Sequence, residues 1–169
     1  VPGHKGRRVR VAVDTNIFVS GLIQRKGWSA VVLREWRKGQ IDLVVSASQF
    51  AELTEVLRRE RIRVKYKINE SRADNLLRRL ARAVVPDGPT DVRFTVRDRK
   101  DAVVLFTAIE QGVDCLVSGD QDLLVIANAA AEIGLSIVTP RQFAETFGLE
   151  RTKEIASAFS KRWLPYLCP

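Results

Sequence analysis

The sequence predicts an α/β protein, a three-layer α/β/α arrangement around a central parallel sheet. Short β-branched runs at 9–13, 41–45, 114–118 and 136–139 alternate with longer segments of helical periodicity. Those runs are apolar at successive positions rather than at every second one, as expected of strands buried on both faces of a parallel sheet. Asp14 follows the first run directly and Asp120 follows the third after Gly119, and sites in open parallel sheets form beyond the carboxyl ends of the strands.

In chain order, residues 1–8 are a basic tail, 9–148 one domain and 149–169 a C-terminal helical tail. The first strand, 9–13, ends in Asp14-Thr15-Asn16. Residues 17–23 read as a helix and 28–37 as a second, closed by Gly39. After the strand at 41–45, Ser46-x-x-Gln49 forms a capping box that opens a helix running to about Arg59. Residues 58–67 are strongly basic. A helix at 69–82, a short apolar stretch at 83–85 and a loop at 86–89 follow. The segment 98–111 is helical, with Gly112 just past its end. Strand 114–118 leads through Gly119-Asp120 to a helix at 123–132. Strand 136–139 is the last, and Pro140 sits at the preferred first position of a helix that Gly148 ends. In the tail, Ile155, Phe159 and Trp163 recur at helical spacing until Pro165. That stripe either packs back on the domain or forms an interface.

The chain's 169 residues suit one domain with a substantial core. A net charge of +8 favours an anionic partner such as nucleic acid or a membrane surface. No apolar run approaches the ~18 residues of a membrane span, so no membrane partner is expected. The basic N-terminus meets Asp14 too soon for a secretory core, and a cytoplasmic location is expected. Cys115 and Cys168 lie far apart and suggest neither a disulfide framework nor a zinc site. His4 is the only histidine, which excludes paired-histidine ribonuclease chemistry and a Ser-His-Asp triad. Walker-type and dinucleotide-binding glycine loops are also missing from the sequence. A hydrolase built from these residues needs a metal to generate its nucleophile.

Carboxylates supply that possibility. Parallel topology puts Asp14 and Asp120 on one edge of the sheet, with Asp122 beside the latter. Asp98 and Asp101 open one helix, and Glu52 lies in the first turns of another. At roughly 100° per residue, Glu52 falls at the edge of the apolar face defined by Phe50, Leu53, Val56 and Leu57, whereas Glu55 points away from it. Oxygen-only ligands of this kind suit Mg²⁺ or Mn²⁺. Asp98, Asp101 and Asp120 have a structural reading as well, as N-caps or first-turn acids complementing a helix dipole. Asp14 is harder to explain that way, because a carboxylate closing a buried strand is costly without a partner.

The ordered set strand-Asp14-Thr15-Asn16, Ser46 with Glu52-Leu53, Asp98-Arg99-Lys100-Asp101, Val117-Ser118-Gly119-Asp120-Gln121-Asp122-Leu123-Leu124 and Ile137-Val138-Thr139-Pro140 resembles the PIN domain. It is similar in particular to the branch that contains toxins of toxin–antitoxin systems. The resemblance spans about residues 9–148 and implies the parallel-sheet fold already read from the strands. It implies a metal-dependent endoribonuclease that cuts single-stranded RNA, with Asp14, Glu52, Asp101 and Asp120 as the acidic quartet holding Mg²⁺ or Mn²⁺. Asp122 matches an auxiliary acid, and Asn16 and Ser118 match small polar positions that hold the site together. Arg99 stands where many relatives have proline, which alters the helix start but not the carboxylates. A cognate antitoxin protein and a homodimer are the further partners implied. Arg58, Arg59, Arg61, Arg63, Lys65 and Lys67 are the densest candidates for phosphate contacts, or else a solvated helix end. Two alternatives remain at this level. One is a PIN-type module that binds RNA or protein without cutting. The other is a haloacid-dehalogenase-type phosphatase, which needs an acid where Asn16 stands.

Overall fold

The computed structural model describes residues 8–91 and 93–146. Strands β1 (Val9–Val13), β2 (Ile41–Ser46), β3 (Val84–Val85), β4 (Cys115–Val117) and β5 (Ser136–Val138) lie side by side. Their order is β3-β2-β1-β4-β5, and every pairing is parallel. β1 is central, with Val11 opposite Leu43 on one flank and opposite Cys115 on the other.

The pleat sends alternate side chains to opposite faces. Val11, Val13, Leu43, Val45, Cys115 and Val117 enter one apolar layer, while Ala12, Val44, Leu116 and Ile137 enter the other. The first layer is closed by α1 (Thr15–Ile23), α2 (Trp28–Arg37), α3 (Ala47–Arg58), α5 (Glu70–Leu80) and α9 (Pro140–Thr146). Phe18, Leu33, Leu53, Leu76 and Phe143 are the anchors there, all buried. The second layer is closed by α6 (Arg99–Glu110), α7 (Gln121–Val125) and α8 (Ala127–Ala131) through Leu105, Leu123 and Ala130. Each such leucine or phenylalanine contributes about 1.5–3 kcal/mol on burial. This is the three-layer α/β/α fold that the strand pattern predicts.

The strand order creates a switch point. The chain steps outward from β1 to β2 to β3, then returns past β1 to β4 and β5. The connections leaving β1 and β4 therefore diverge, one into α1 on the first layer and one into α7 on the second. In open α/β sheets, ligands bind outside the carboxyl ends of the strands at such a point.

Several local expectations change. The basic stretch is a separate helix, α4 (Glu60–Tyr66), which ends where Lys67 takes a left-handed conformation at φ 50°. The helix expected at 69–82 stops at Leu80 and finishes in a 3-10 turn, Ala81–Ala83. The helix expected at 123–132 is two short ones, because Ile126 sits in the bridge region at φ −90° and ψ 6°. Only half of the capping box forms. Ser46 Oγ accepts from the Gln49 N–H at 3.1 Å, but the buried Gln49 side chain donates to the Val13 carbonyl at 2.5 Å instead of returning to Ser46. Gln49 lies against the carboxyl end of β1, and that carbonyl is the acceptor within its reach. Arg8, at the end of the expected basic tail, pairs with Asp42 at 3.1 Å. The apolar stripe of Ile155, Phe159 and Trp163, and Gly148 as a helix end, lie outside the described residues. Among the described residues no helix is long and apolar enough to cross a membrane.

Candidate metal centre at the switch point

β1 and β4 are zipped one residue past their strand ends. The Asp14 N–H donates to the Val117 carbonyl at 3.0 Å, which carries Asp14 alongside Ser118. Asp14 is 2% exposed. One carboxylate oxygen accepts from the Asn16 N–H at 3.3 Å, and the other accepts from the Ser118 hydroxyl at 3.0 Å. Ser118 Oγ in turn accepts from the Asp120 N–H at 3.0 Å. The hydroxyl thus donates on one side and accepts on the other, so its orientation is fixed and the two strand ends are joined.

Each neighbouring acid is held by the helix it starts. Asp14 caps α1, and Asp120 caps α7 by accepting from the Asp122 N–H at 2.7 Å. Asp98 caps α6 by accepting from the Lys100 N–H at 2.8 Å, and Asp101 follows in the first turn. The capping role and convergence on one edge are therefore not alternatives, because the same residues do both. Backbone N–H groups and the positive helix ends offset part of the clustered charge.

That offset is incomplete at Asp101. Burial, followed by the charges of Asp14, Asp120, Asp98 and Asp122, pushes its carboxyl up to about 6. Burial also raises Asp14, against the bonds from Asn16 and Ser118, and Asp120 adds to the rise. Like charges in a partly desolvated crevice resist joint ionisation. A divalent cation would remove that resistance, and the donors are all oxygen. In donor type the residues present fit such an ion, while their side chains as they stand are not grouped around one position.

Glu52 and Asp122 stand differently. The Glu52 side chain is 25% exposed and hydrogen-bonded by Lys100 Nζ. Asp122 faces the Arg97 guanidinium at 3.8 Å. Glu55, on the outer face of α3, is 68% exposed and pairs with Arg59. As the side chains stand, no three acids, histidines or cysteines among the described residues are grouped to hold an ion. Asn16 reaches Asp14 through its backbone N–H, and the residue itself is exposed.

The basic stretch is divided. Arg59 and Arg63 are ion-paired within the fold, to Glu55 and, at 2.7 Å, to Glu70. Lys65 lies over the Tyr66 ring at 5.0 Å from its centroid. Arg58, Arg61, Lys65 and Lys67 are exposed. Cys115 is a buried free thiol whose pKa burial drives upward, which makes it inert.

Sequence reasoning missed three contributors. Gln49 ties α3 to the end of β1, where its sequence signal pointed only to a cap. Lys100 reaches Glu52 from 48 residues away, and no local pattern announces such a pair. Asp87 accepts from the Ser48 N–H at 2.9 Å and so fastens the β3–α6 connection to the start of α3. Partial burial opposes the ionisation of Asp87, but bonds from Ser48 and Ser46 outweigh it and hold its carboxyl below the usual range.

The chain belongs to the PIN domain family, whose profile matches residues 10–122. PIN domains are nucleases in general, act on nucleic acid and typically use divalent metal ions. The match removes the ground for a haloacid-dehalogenase-type phosphatase. The chain is also similar to uncharacterized protein MJ1680 of Methanocaldococcus jannaschii, at 27% identity over 145 residues, which covers 83% of this chain and 92% of that protein. No solved structure matches the chain.

Proposed function

We propose that the chain is an endoribonuclease that uses Mg²⁺ or Mn²⁺ to hydrolyse phosphodiester bonds of single-stranded RNA. What supports this reading is the PIN domain match together with the Ser118 hydroxyl, which bonds Asp14 and accepts from the Asp120 N–H at the ends of β1 and β4. Asp14, Glu52, Asp101 and Asp120 would hold the ion or ions, with Asp122 as an auxiliary ligand. When bound, such ions lower the pKa of water to yield a hydroxide and stabilise charge on the leaving oxygen. The chain's own part is positional. Ser118 and the Asn16 N–H orient the Asp14 carboxylate. Asp98 and Asp120 cap α6 and α7 and Asp101 lies in the first turn of α6, and surface cations would hold the strand through its phosphates. The toxin role, with an antitoxin protein as partner and a homodimeric form, rests on the family resemblance, and the cytoplasmic location on the sequence reading of the N-terminus.

Cleavage of labelled single-stranded RNA tests the reading. Activity is expected with Mg²⁺ or Mn²⁺, lost in EDTA, and lost in Asp14→Asn and Asp101→Asn while circular dichroism shows a folded protein. Wild-type rates in both variants, or EDTA-insensitive cleavage, overturn it. One observation favours a second reading, a nucleic-acid-binding module that does not cut: Glu52 is occupied by Lys100 rather than turned to the other acids. RNA binding without metal-dependent cleavage by the wild-type chain selects that reading.

A further inference from the structure

Two exposed cations from one short segment each rest on an acid of the candidate centre. Lys100 Nζ bonds Glu52, with side chains 67% and 25% exposed respectively. Arg97 Nε lies 3.8 Å from Asp122 Oδ2, with side chains 89% and 41% exposed. Both cations flank Asp98, which starts α6 at the carboxyl edge of the sheet. We propose that Arg97 and Lys100 are the phosphate-contacting residues of this protein. On this proposal they neutralise Asp122 and Glu52 in the ion-free protein, and turn to the backbone of a single-stranded nucleic acid when a divalent ion takes those carboxylates.

The energetics permit the exchange. An ion pair with one or both partners in solvent is weak, because water screens it and two long side chains lose freedom in forming it. A divalent cation bound by several carboxylates outbids a single ammonium for the same oxygens. Lysine's long, mobile stem lets Nζ swing by several ångströms without backbone movement. A guanidinium 3.8 Å from its acid is only loosely held. Once released, both cations stand at the lip of the crevice, on either side of the acid that opens α6. A bound strand passes there on its way to the metal centre. The exposed cations of the basic stretch, Arg58, Arg61, Lys65 and Lys67, are the competing candidates for this role.

The inference rests on the metal-centre reading, and the experiment separates the two. Binding of a fluorescein-labelled single-stranded RNA is followed by anisotropy across a salt series, in EDTA and in Ca²⁺. The proteins are the full chain, Arg97→Gln/Lys100→Gln, and Arg58→Gln/Arg61→Gln/Lys65→Gln, each checked for folding by thermal melt. Mn²⁺ binding to the wild-type chain is measured separately by thermal shift. The Arg97/Lys100 variant is expected to flatten the log–log salt slope by about 1.4 in Ca²⁺, two contacts at about 0.7 each, and to change it little in EDTA. An unchanged slope in Ca²⁺ alongside a clear Mn²⁺ shift overturns this proposal alone. A flattened slope only in the Arg58/Arg61/Lys65 variant moves the phosphate track to α4 and likewise overturns it. No Mn²⁺ shift in the wild-type chain overturns the metal centre and, with it, the exchange.

Discussion

Ser118 donates its hydroxyl to Asp14 across the junction of β1 and β4, linking residues 104 apart in the chain at 3.0 Å. The same oxygen accepts from the Asp120 N–H, so one hydroxyl holds both strand ends of the candidate centre. Ser118→Ala removes a donor from a buried carboxylate and leaves the Asp120 N–H without its acceptor. An unsatisfied buried group costs about 1–3 kcal/mol. The variant is expected to lose that much in urea denaturation at pH 7.5, and to regain part of it with Mn²⁺. A midpoint equal to the wild type's would show that the Asn16 N–H alone suffices for Asp14.

Asp101 sets a pH dependence. Its carboxyl is raised from 3.8 to about 6 in the folded chain. Below about pH 4 it is protonated in both folded and unfolded states and its favourable contribution is complete. Between 4 and 6 the unfolded chain releases the proton while the folded chain retains it, so stability falls as pH rises. Above 6 the full repulsion is felt, and Asp14 shifts in the same direction. The ion-free protein is therefore expected to lose stability from pH 4.5 to 7.5 more steeply than Asp101→Asn. Mn²⁺ should raise the melting temperature more at pH 7.5 than at pH 5. Parallel pH profiles for the two proteins would remove Asp101 from the acid cluster.

Much of this site is legible in the sequence because it is local. An aspartate after a buried strand, or at the head of a helix, is visible in a window of a few residues, and Asp14, Asp98 and Asp120 all occupy such windows. The buried strands β1, β2 and β4 are legible for the same reason, as continuous apolar runs. β3 is not, since two residues carry no period. Nor is the break at Ile126, because the alanine-rich stretch after it favours an unbroken helix. The bonds from Gln49 to Val13 and from Lys100 to Glu52 join elements that only the folded sheet brings together. Helical geometry places Glu52 on the inner edge of α3, yet it cannot reveal the cation that meets it there.

Glu52 and Glu55 share one helix and one chemistry but differ in setting. Glu52 is turned toward α6 at 25% exposure, and Glu55 is 68% exposed beside Arg59. Glu52→Gln is expected to lower metal-dependent cleavage by at least about 10- to 100-fold, the loss typical of removing even an outer partner of a metal ligand. Glu55→Gln should stay within about twofold, because an exposed i,i+4 pair is screened by solvent and contributes little. Steady-state cleavage of a labelled RNA measures both. Equal losses would place the working face of α3 elsewhere.

Two glycines distinguish what the fold requires from what the crevice leaves open. A Cβ on Gly88 would meet the Phe106 carbonyl oxygen at 2.3 Å and the Thr107 nitrogen at 2.5 Å, both main-chain atoms of α6. Helix backbone cannot yield, so the loop must. That loop also donates the Gly88 N–H to Thr107 Oγ1 at 2.9 Å, and through Asp87 it grips Ser48 at the start of α3. Gly88→Ala therefore strains the connection that sets α6, with Asp101, against α3, with Glu52. Overpacking of this kind typically costs about 1–3 kcal/mol, and urea denaturation should read a loss at or above that range. A Cβ on Gly119, between Ser118 and Asp120, would meet nothing within 4 Å. Gly119→Ala is expected to keep stability within about 0.5 kcal/mol of wild type. If it nevertheless reduces RNA cleavage, the open space beside Asp120 is where substrate lies. If Gly88→Ala denatures like the wild-type chain, the β3–α6 loop is not held against α6 as described, and the placement of Asp101 fails with it.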